Sequence, residues 1–266
     1  MQRGRLGKLF AVLLSVSLVV LAAFGASAGT LDDVLKRKKI LIGIDLGVPP
    51  YGLTNKEQQP DGYDVDVAKL MAKDLGVELE IVPLTGPNRV PYLLTNKVDV
   101  VVATFGITPQ RAQSVSFSMP YVALSLVVLG PADKKITNMA ETKGLKVGVT
   151  RGTTQDIDFT RLAPEGSQIT RFEDDATTTV ALLSGQVDII ATADLLAVEI
   201  AKRNPDKNLE IKFPIRVSPG AIGMRRGDPD WLQWVNTFVY FHKLNGDLNA
   251  LFEKWAGQKL PELPIL

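Results

Sequence analysis

Short apolar runs alternate with stretches of helical periodicity through most of this chain. In "DVDVAKLMAKDLG", Val67, Leu70, Met71 and Leu75 recur at i, i+3, i+4 and i+8, which predicts one apolar helical face. Asp64 is placed to cap that helix and Gly76 to end it. "VDVVVA" is instead apolar almost throughout, the mark of a strand covered on both faces. The order then recurs. "LLTNKVDVVVAT" (93–104) and "LLSGQVDIIAT" (182–192) share a leucine pair, a polar turn, Val-Asp and an apolar run. Upstream stand "ILIGIDLG" (40–47) and "LKVGVTRG" (145–152), each followed by a second short strand, in "LEIVPLT" and "QITRFED". Strand–helix–strand–helix–strand therefore occurs twice, and such alternation implies parallel sheets with helices on both faces.

Two α/β lobes follow. Lobe 1 is expected at 29–130 and 222–266, and lobe 2 at 131–221. The tail carries Trp231, Trp234, Phe238, Phe241, Phe252 and Trp255, too apolar to stand alone, and is expected to return to lobe 1. Two crossings between lobes make a hinge, and a hinge between α/β lobes makes a cleft.

Composition narrows the chemistry. Arg3, Arg5 and Lys8 precede an apolar run from Leu9 to Phe24 and then Ala26-Ser27-Ala28, the order of a cleaved secretory signal peptide over residues 1–28. A retained anchor is the alternative, but the run is short of the roughly 20 residues of a membrane span. Loss of those three cations takes the formal net charge from +1 to about −2, which disfavours nucleic acid or an anionic membrane surface as partner. There is no cysteine, and the single histidine is His242, so a Cys/His zinc site is excluded. No G-x-S-x-G, phosphate-binding P-loop or dinucleotide G-x-G-x-x-G is present. No metal or organic cofactor is expected.

Ligands of open α/β sheets bind beyond the carboxyl ends of the strands. There "VVVATFGITPQR" (100–111) offers the Thr104 hydroxyl, a close backbone approach at Gly106, and Arg111 after Pro109. A guanidinium in that place is a planar fork for a carboxylate; a solvated helix charge is the competing reading. In lobe 2, "VGVTRGTTQD" leads through Gly152, Thr153 and Thr154 into a helix start, which favours an anion or is merely a good cap.

The chain resembles the polar amino-acid-binding proteins of ABC importers, solute-binding protein family 3, over essentially all of its mature length. The matching stretches are "GIDLGVPPYG", "DGYDVDVAKLMAKDLGV", "DVVVATFGITPQRAQSVSFSMPYV", "LKVGVTRGTTQD", "LLSGQVDIIATADLL" and "FEKWAG". The resemblance implies a type II periplasmic binding protein fold of two doubly wound sheets joined by a two-strand hinge. It implies a monomer in the periplasm that holds a small amino acid and delivers it to an ABC permease. By the same resemblance, Arg111 takes the ligand α-carboxylate with Thr104 and the Gly106 N–H, and Thr153 and Thr154 add donors from lobe 2.

Departures from the family pattern matter. The usual α-amino-binding aspartate would fall five residues after Asp188, at Ala193; Asp194 is one residue late, and a bulge would restore it. The aromatic sandwich of some members is missing at Val48 and Gly86. "N-R-V-P" instead resembles glutamate/aspartate-binding members, in which Arg89 would meet the ligand side chain; Asp45 opposite would cancel its charge and suit a neutral polar or dipolar side chain. The rival readings are an enzyme of the same fold, cyclohexadienyl dehydratase, for which Glu199 is the nearest and poorly matching acid, and a ligand-binding partner of a sensory receptor.

Overall fold

A computed structural model of the protein describes residues 29–263; the signal-peptide expectation falls on residues 1–28, outside them. Lobe 1 opens with α1 (Thr30–Arg37), β1 (Lys39–Asp45), the hairpin β2 (Leu53–Thr54) and β3 (Pro60–Asp61), α2 (Tyr63–Leu75) and β4 (Glu78–Leu84). α3 (Arg89–Leu94), β5 (Val100–Gly106), the short α4 (Pro109–Ala112) and the long β6 (Val115–Pro131) follow. Lobe 2 comprises β7 (Lys146–Thr150), α5 (Thr154–Leu162), β8 (Gln168–Phe172), α6 (Asp175–Leu183), β9 (Ile189–Ala193) and α7 (Asp194–Arg203). The equally long β10 (Leu209–Arg225) runs back, and α8 (Pro229–Leu244) and α9 (Asp247–Ala256) close the fold.

The doubled pattern is a doubled topology. Lobe 1 carries β4-β1-β5 in parallel and lobe 2 carries β8-β7-β9 in parallel. The recurrent Val-Asp has one job in both copies. Asp99 accepts the Leu41 N–H at 2.7 Å, and Asp188 accepts the Lys146 N–H at 2.8 Å. Each carboxylate brackets the first residues of the neighbouring strand, so the polar turn fixes where the parallel pairing begins.

The two sheets are not separate. β6 and β10 pair antiparallel from Val115–Arg225 to Pro131–Leu209, and they join the halves into one eight-stranded sheet, β4-β1-β5-β10-β6-β9-β7-β8. The reason is strand length. Both strands span 17 residues, so that beyond their own pairing β10 pairs with β5 at one end and β6 with β9 at the other.

Burial follows the apolar pattern. All seven residues of β5 and all five of β9 are buried, as expected for strands covered on both faces. α2 spans the predicted residues and ends on Gly76 in the left-handed conformation. Its cap is different from the one expected: Gly62 occupies the N-cap, and Asp64 turns inward, where Tyr121 claims it.

The aromatic tail packs against α1, α2 and β6. Trp231, Phe238 and Phe252 are buried in the main hydrophobic core, and the Trp255 Nε1–H donates to Asp66 of α2 at 2.8 Å. Phe241 is the exception, at 56% exposure on the outer face of α8. His242 is structural: its ring nitrogens lie 2.7 Å from Asp74 and 2.6 Å from Asp247, tying α2, α8 and α9 together. Among the described residues, no helix is long and apolar enough to cross a membrane.

Candidate functional site

The carboxyl ends of β1 and β5 in lobe 1 face those of β7 and β9 in lobe 2 across a seam spanned by β6 and β10. Thr104, third from the end of β5, is a non-glycine residue with φ of 44°. A left-handed β-branched residue costs about 1–3 kcal/mol unless its surroundings hold it there. The holding group is Tyr121. Its hydroxyl accepts the Thr104 N–H at 2.9 Å and donates to Asp64 at 2.6 Å, while the Tyr63 hydroxyl donates to the Tyr121 carbonyl at 2.9 Å. Burial raises the Asp64 carboxyl to about 7, against the pull of Tyr121. The "G-Y-D" and "F-S-x-P-Y" stretches, far apart in sequence, thus meet beneath the turn that carries the site.

Tyr121→Phe is expected to strand the buried Thr104 N–H and cost about 1–3 kcal/mol of stability. A urea unfolding midpoint equal to that of the unaltered protein would contradict this support role.

Arg111 is the third residue of α4, whose N-cap Thr108 accepts its N–H at 3.2 Å. The half-buried guanidinium lies over the Phe105 ring, 4.9 Å from its centroid. It donates to the Gly106 carbonyl and, across the seam, to the Gly152 carbonyl at 2.7 Å. A guanidinium has five N–H donors, so others remain for an anion. Burial, and then the nearby Arg89 charge, lower Arg111 to about 9. Both effects would be relieved by a carboxylate.

Arg89 opens α3 and is 5% exposed, with its guanidinium carbon 5.8 Å from the Phe105 ring centroid and its Nη2 3.5 Å from Asp45. Asp45, at the end of β1, is also buried. Desolvation raises its carboxyl, and Arg89 and the Gly47 N–H partly offset that. The expected Asp45–Arg89 pair is present.

From lobe 2, Thr153 is the N-cap of α5; its hydroxyl donates to the Thr150 carbonyl at 2.7 Å and accepts the Asp156 N–H at 3.3 Å. That hydroxyl is committed to the cap. Thr154 packs against Gly106: a Cβ on Gly106 would lie 2.5 Å from Thr154 Cγ2 and 3.0 Å from Ser218 Oγ. Gly86 is similarly apposed, and its Cβ would lie 3.1 Å from Thr153 Cγ2. These two glycines are where lobe 1 backbone meets lobe 2 side chains.

Asp194 is not restored by a bulge. The β6–β9 ladder runs without a shift from Leu126–Ala193 to Leu129–Ile190, and Asp194 opens α7 instead. Its carboxylate accepts the Leu195 N–H at 2.9 Å, and burial raises its pKa. Its charge reaches Tyr51 of lobe 1, whose phenol is raised chiefly by burial and then by Asp194.

Sequence reasoning missed Phe105, Tyr121, Asp64, Tyr51 and Asp175. Tyr121 and Asp64 stand within the quoted motifs, and no local pattern marks them as partners. Three buried side-chain atoms without a hydrogen-bond partner belong to residues near this seam: Tyr51 Oη, Arg89 Nε and Thr192 Oγ1. A cavity of about 260 Å³ opens between the lobes, with Gly47 and Pro49 on one side and Ala176, Leu196 and Glu199 on the other. A larger groove of about 510 Å³ lies between α2, α8 and α9, but its Asp66, His242, Asp247 and Lys254 are paired with one another. Among the described residues the fourth such unpartnered atom, Trp231 Nε1, lies in α8, so the other three mark the seam as the place where buried polar groups gather without partners.

Comparison with known proteins agrees with this architecture. The family described as bacterial extracellular solute-binding proteins, family 3, matches residues 40–258. The L-cystine-binding protein TcyJ of Escherichia coli (strain K12) is 28% identical, with 87% of this chain and 88% of that protein covered. The ABC transporter glutamine-binding protein GlnH of Bacillus subtilis (strain 168) is 30% identical, with 86% and 85% covered. A crystal structure of the ancestral amino acid-binding protein AncCDT-1, a precursor of cyclohexadienyl dehydratase, is 34% identical, with a TM-score of 0.78 over 86% of this chain and 99% of that one. This chain belongs to the bacterial extracellular solute-binding proteins, family 3.

Proposed function

We propose that this protein captures a small polar amino acid between its lobes and delivers it to an ABC permease, without chemical change to the ligand. The observation that carries the proposal is the Arg111 guanidinium. It is stacked on Phe105, shares its donors with both lobes through Gly106 and Gly152, and has a second cation close by. A ligand carboxylate there would hold the lobes together and relieve the repulsion between the two arginines. The names of TcyJ and GlnH, an L-cystine- and a glutamine-binding protein, support an amino acid as ligand.

In this reading Asp45 and Arg89 meet the ligand side chain, Thr104 and the Gly106 N–H assist Arg111, and Thr153 and Thr154 close over the carboxylate from lobe 2. Asp194, beside Tyr51, takes the α-amino group. Residues 29–130 with 222–266 move as one body and 131–221 as the other, flexing where β6 and β10 cross. After removal of residues 1–28 the protein works as a periplasmic monomer. A micromolar dissociation constant, about −8 kcal/mol, is within reach of a bidentate arginine and several charge-assisted bonds.

An elimination enzyme needs a positioned, protonated acid. Glu199 lines the seam cavity, yet its carboxylate is paired with Arg203 at 2.5 Å. A glutamate engaged by Arg203 favours binding over catalysis.

The test is a thermal-shift screen of refolded, ligand-free protein against the twenty amino acids, dicarboxylates and prephenate. One or a few polar amino acids are expected to raise the midpoint. Silence with every amino acid, or turnover of prephenate, would refute the proposal. Arg89→Ala is expected to reorder which side chains are accepted more than it weakens all ligands, read by calorimetry across the same panel; equal loss for every ligand would contradict its side-chain role.

A further inference from the structure

A second acid faces the Asp45–Arg89 pair from lobe 2. Asp175 is the first residue of α6 and is buried, and its carboxylate accepts the Thr150 hydroxyl at 2.9 Å. Thr150 is the last residue of β7 and is itself 1% exposed. A Cβ on Gly86 would lie 3.7 Å from Thr150 Cγ2, so the turn that leads into Arg89 sits directly on the Thr150–Asp175 pair. Lobe closure therefore brings Asp45, Arg89, Thr150 and Asp175 to one place.

The charges there do not balance. Asp45 and Arg89 cancel, and Asp175 adds a carboxylate whose hydrogen-bond partner is a hydroxyl rather than a cation. The Arg89 Nε–H, in a side chain more than nine-tenths buried, has no partner beside them. Burial raises Asp175 to about 7, with the Asp45 charge as the next cause. The subsite thus holds an excess of carboxylate, which N–H donors would balance, and one donor of its own, the Arg89 Nε–H, that needs an acceptor oxygen. A ligand side chain with N–H donors would meet the two acids, and an amide would also offer its oxygen to the Arg89 Nε–H, whereas a carboxylate would meet two acids against one arginine.

We propose that Asp175 is the lobe 2 half of the side-chain subsite and selects amino acids whose side chains end in N–H donors, guanidinium, ammonium or amide, over those ending in carboxylate. This rests on the amino-acid-binding reading above. It assigns to lobe 2 a part in selectivity that the Asp45–Arg89 pair alone would place in lobe 1. Asp175 escaped notice in the sequence because it follows Asp174, the actual cap of α6, and the two look like one acidic helix start.

The experiment is calorimetry of refolded, ligand-free protein with L-arginine, L-glutamine and L-glutamate, for the unaltered chain and for Asp175→Asn. Asparagine keeps an oxygen to accept from Thr150, and near-ultraviolet circular dichroism checks the fold. The unaltered protein is expected to bind arginine or glutamine at least tenfold more tightly than glutamate. Asp175→Asn is expected to narrow that ratio at least tenfold. Equal ratios in the two proteins would overturn the role of Asp175 while leaving amino-acid binding standing. Preference for glutamate in the unaltered protein would overturn it without recourse to a variant. Binding of no amino acid by the unaltered protein would remove the reading beneath it as well.

Discussion

Arg111→Ala is expected to leave the protein folded and to weaken amino-acid binding at least a hundredfold, about 3 kcal/mol or more. The size follows from what the guanidinium does for a bound carboxylate. Removing one member of a desolvated, hydrogen-bonded charge pair commonly costs 2–5 kcal/mol, because the other charge is left unpaired. The fold should survive because Arg111 is half-buried and lies on a four-residue helix at the edge of the seam. Its removal also spares Arg89 a like-charged neighbour. Calorimetry with the best ligand of the thermal-shift screen reads the first part, and circular dichroism the second. Retained affinity would mean that the carboxylate binds elsewhere.

Gly106→Ala is expected to lower affinity by about 5- to 150-fold without unfolding either lobe. Gly106 has no positive φ, so alanine is acceptable to its backbone; the obstacle is space. The new Cβ would lie 2.5 Å from Thr154 Cγ2, and Thr154 belongs to the other lobe. Separation of the lobes relieves most of that contact, whereas closure restores it. Overpacking of this kind costs about 1–3 kcal/mol, and the cost falls on the closed, ligand-holding form. Thr154→Ser removes Cγ2 and should recover part of the loss in the double variant, although Ser218 Oγ remains 3.0 Å away. Unchanged binding in Gly106→Ala, or no recovery with Thr154→Ser, would show that Gly106 and Thr154 do not meet in the ligand-bound state.

Much of this organisation could be seen in the chain itself, and for identifiable reasons. "VDVVVA" and "VDIIATA" are buried on both faces, so their apolar runs marked parallel strands, and the recurrent Val-Asp marked two copies of one unit. Arg111 stood out as a planar fork just past a buried strand, and Asp45 and Arg89 through the resemblance of "N-R-V-P" to glutamate/aspartate-binding members. What stayed hidden depends on contacts between distant segments. Asp64 looked like a helix cap because caps are local, yet Tyr121, 57 residues on, draws it inward. The continuity of the sheet depends on the paired lengths of β6 and β10, which no single segment reveals. Asp194 reads in the sequence as one residue late with a bulge to restore it; its place as the first residue of α7, with an unbroken ladder before it, shows only once β9 has a partner.

The most direct measurement is a crystal structure of the protein with the amino acid that gives the largest thermal shift. The α-carboxylate is expected on Arg111 between Gly106 and the α5 start, and the side chain directed toward Asp45, Arg89 and Asp175. An amino acid lodged in the groove between α2, α8 and α9, or bound at the seam with its carboxylate away from Arg111, would contradict this placement.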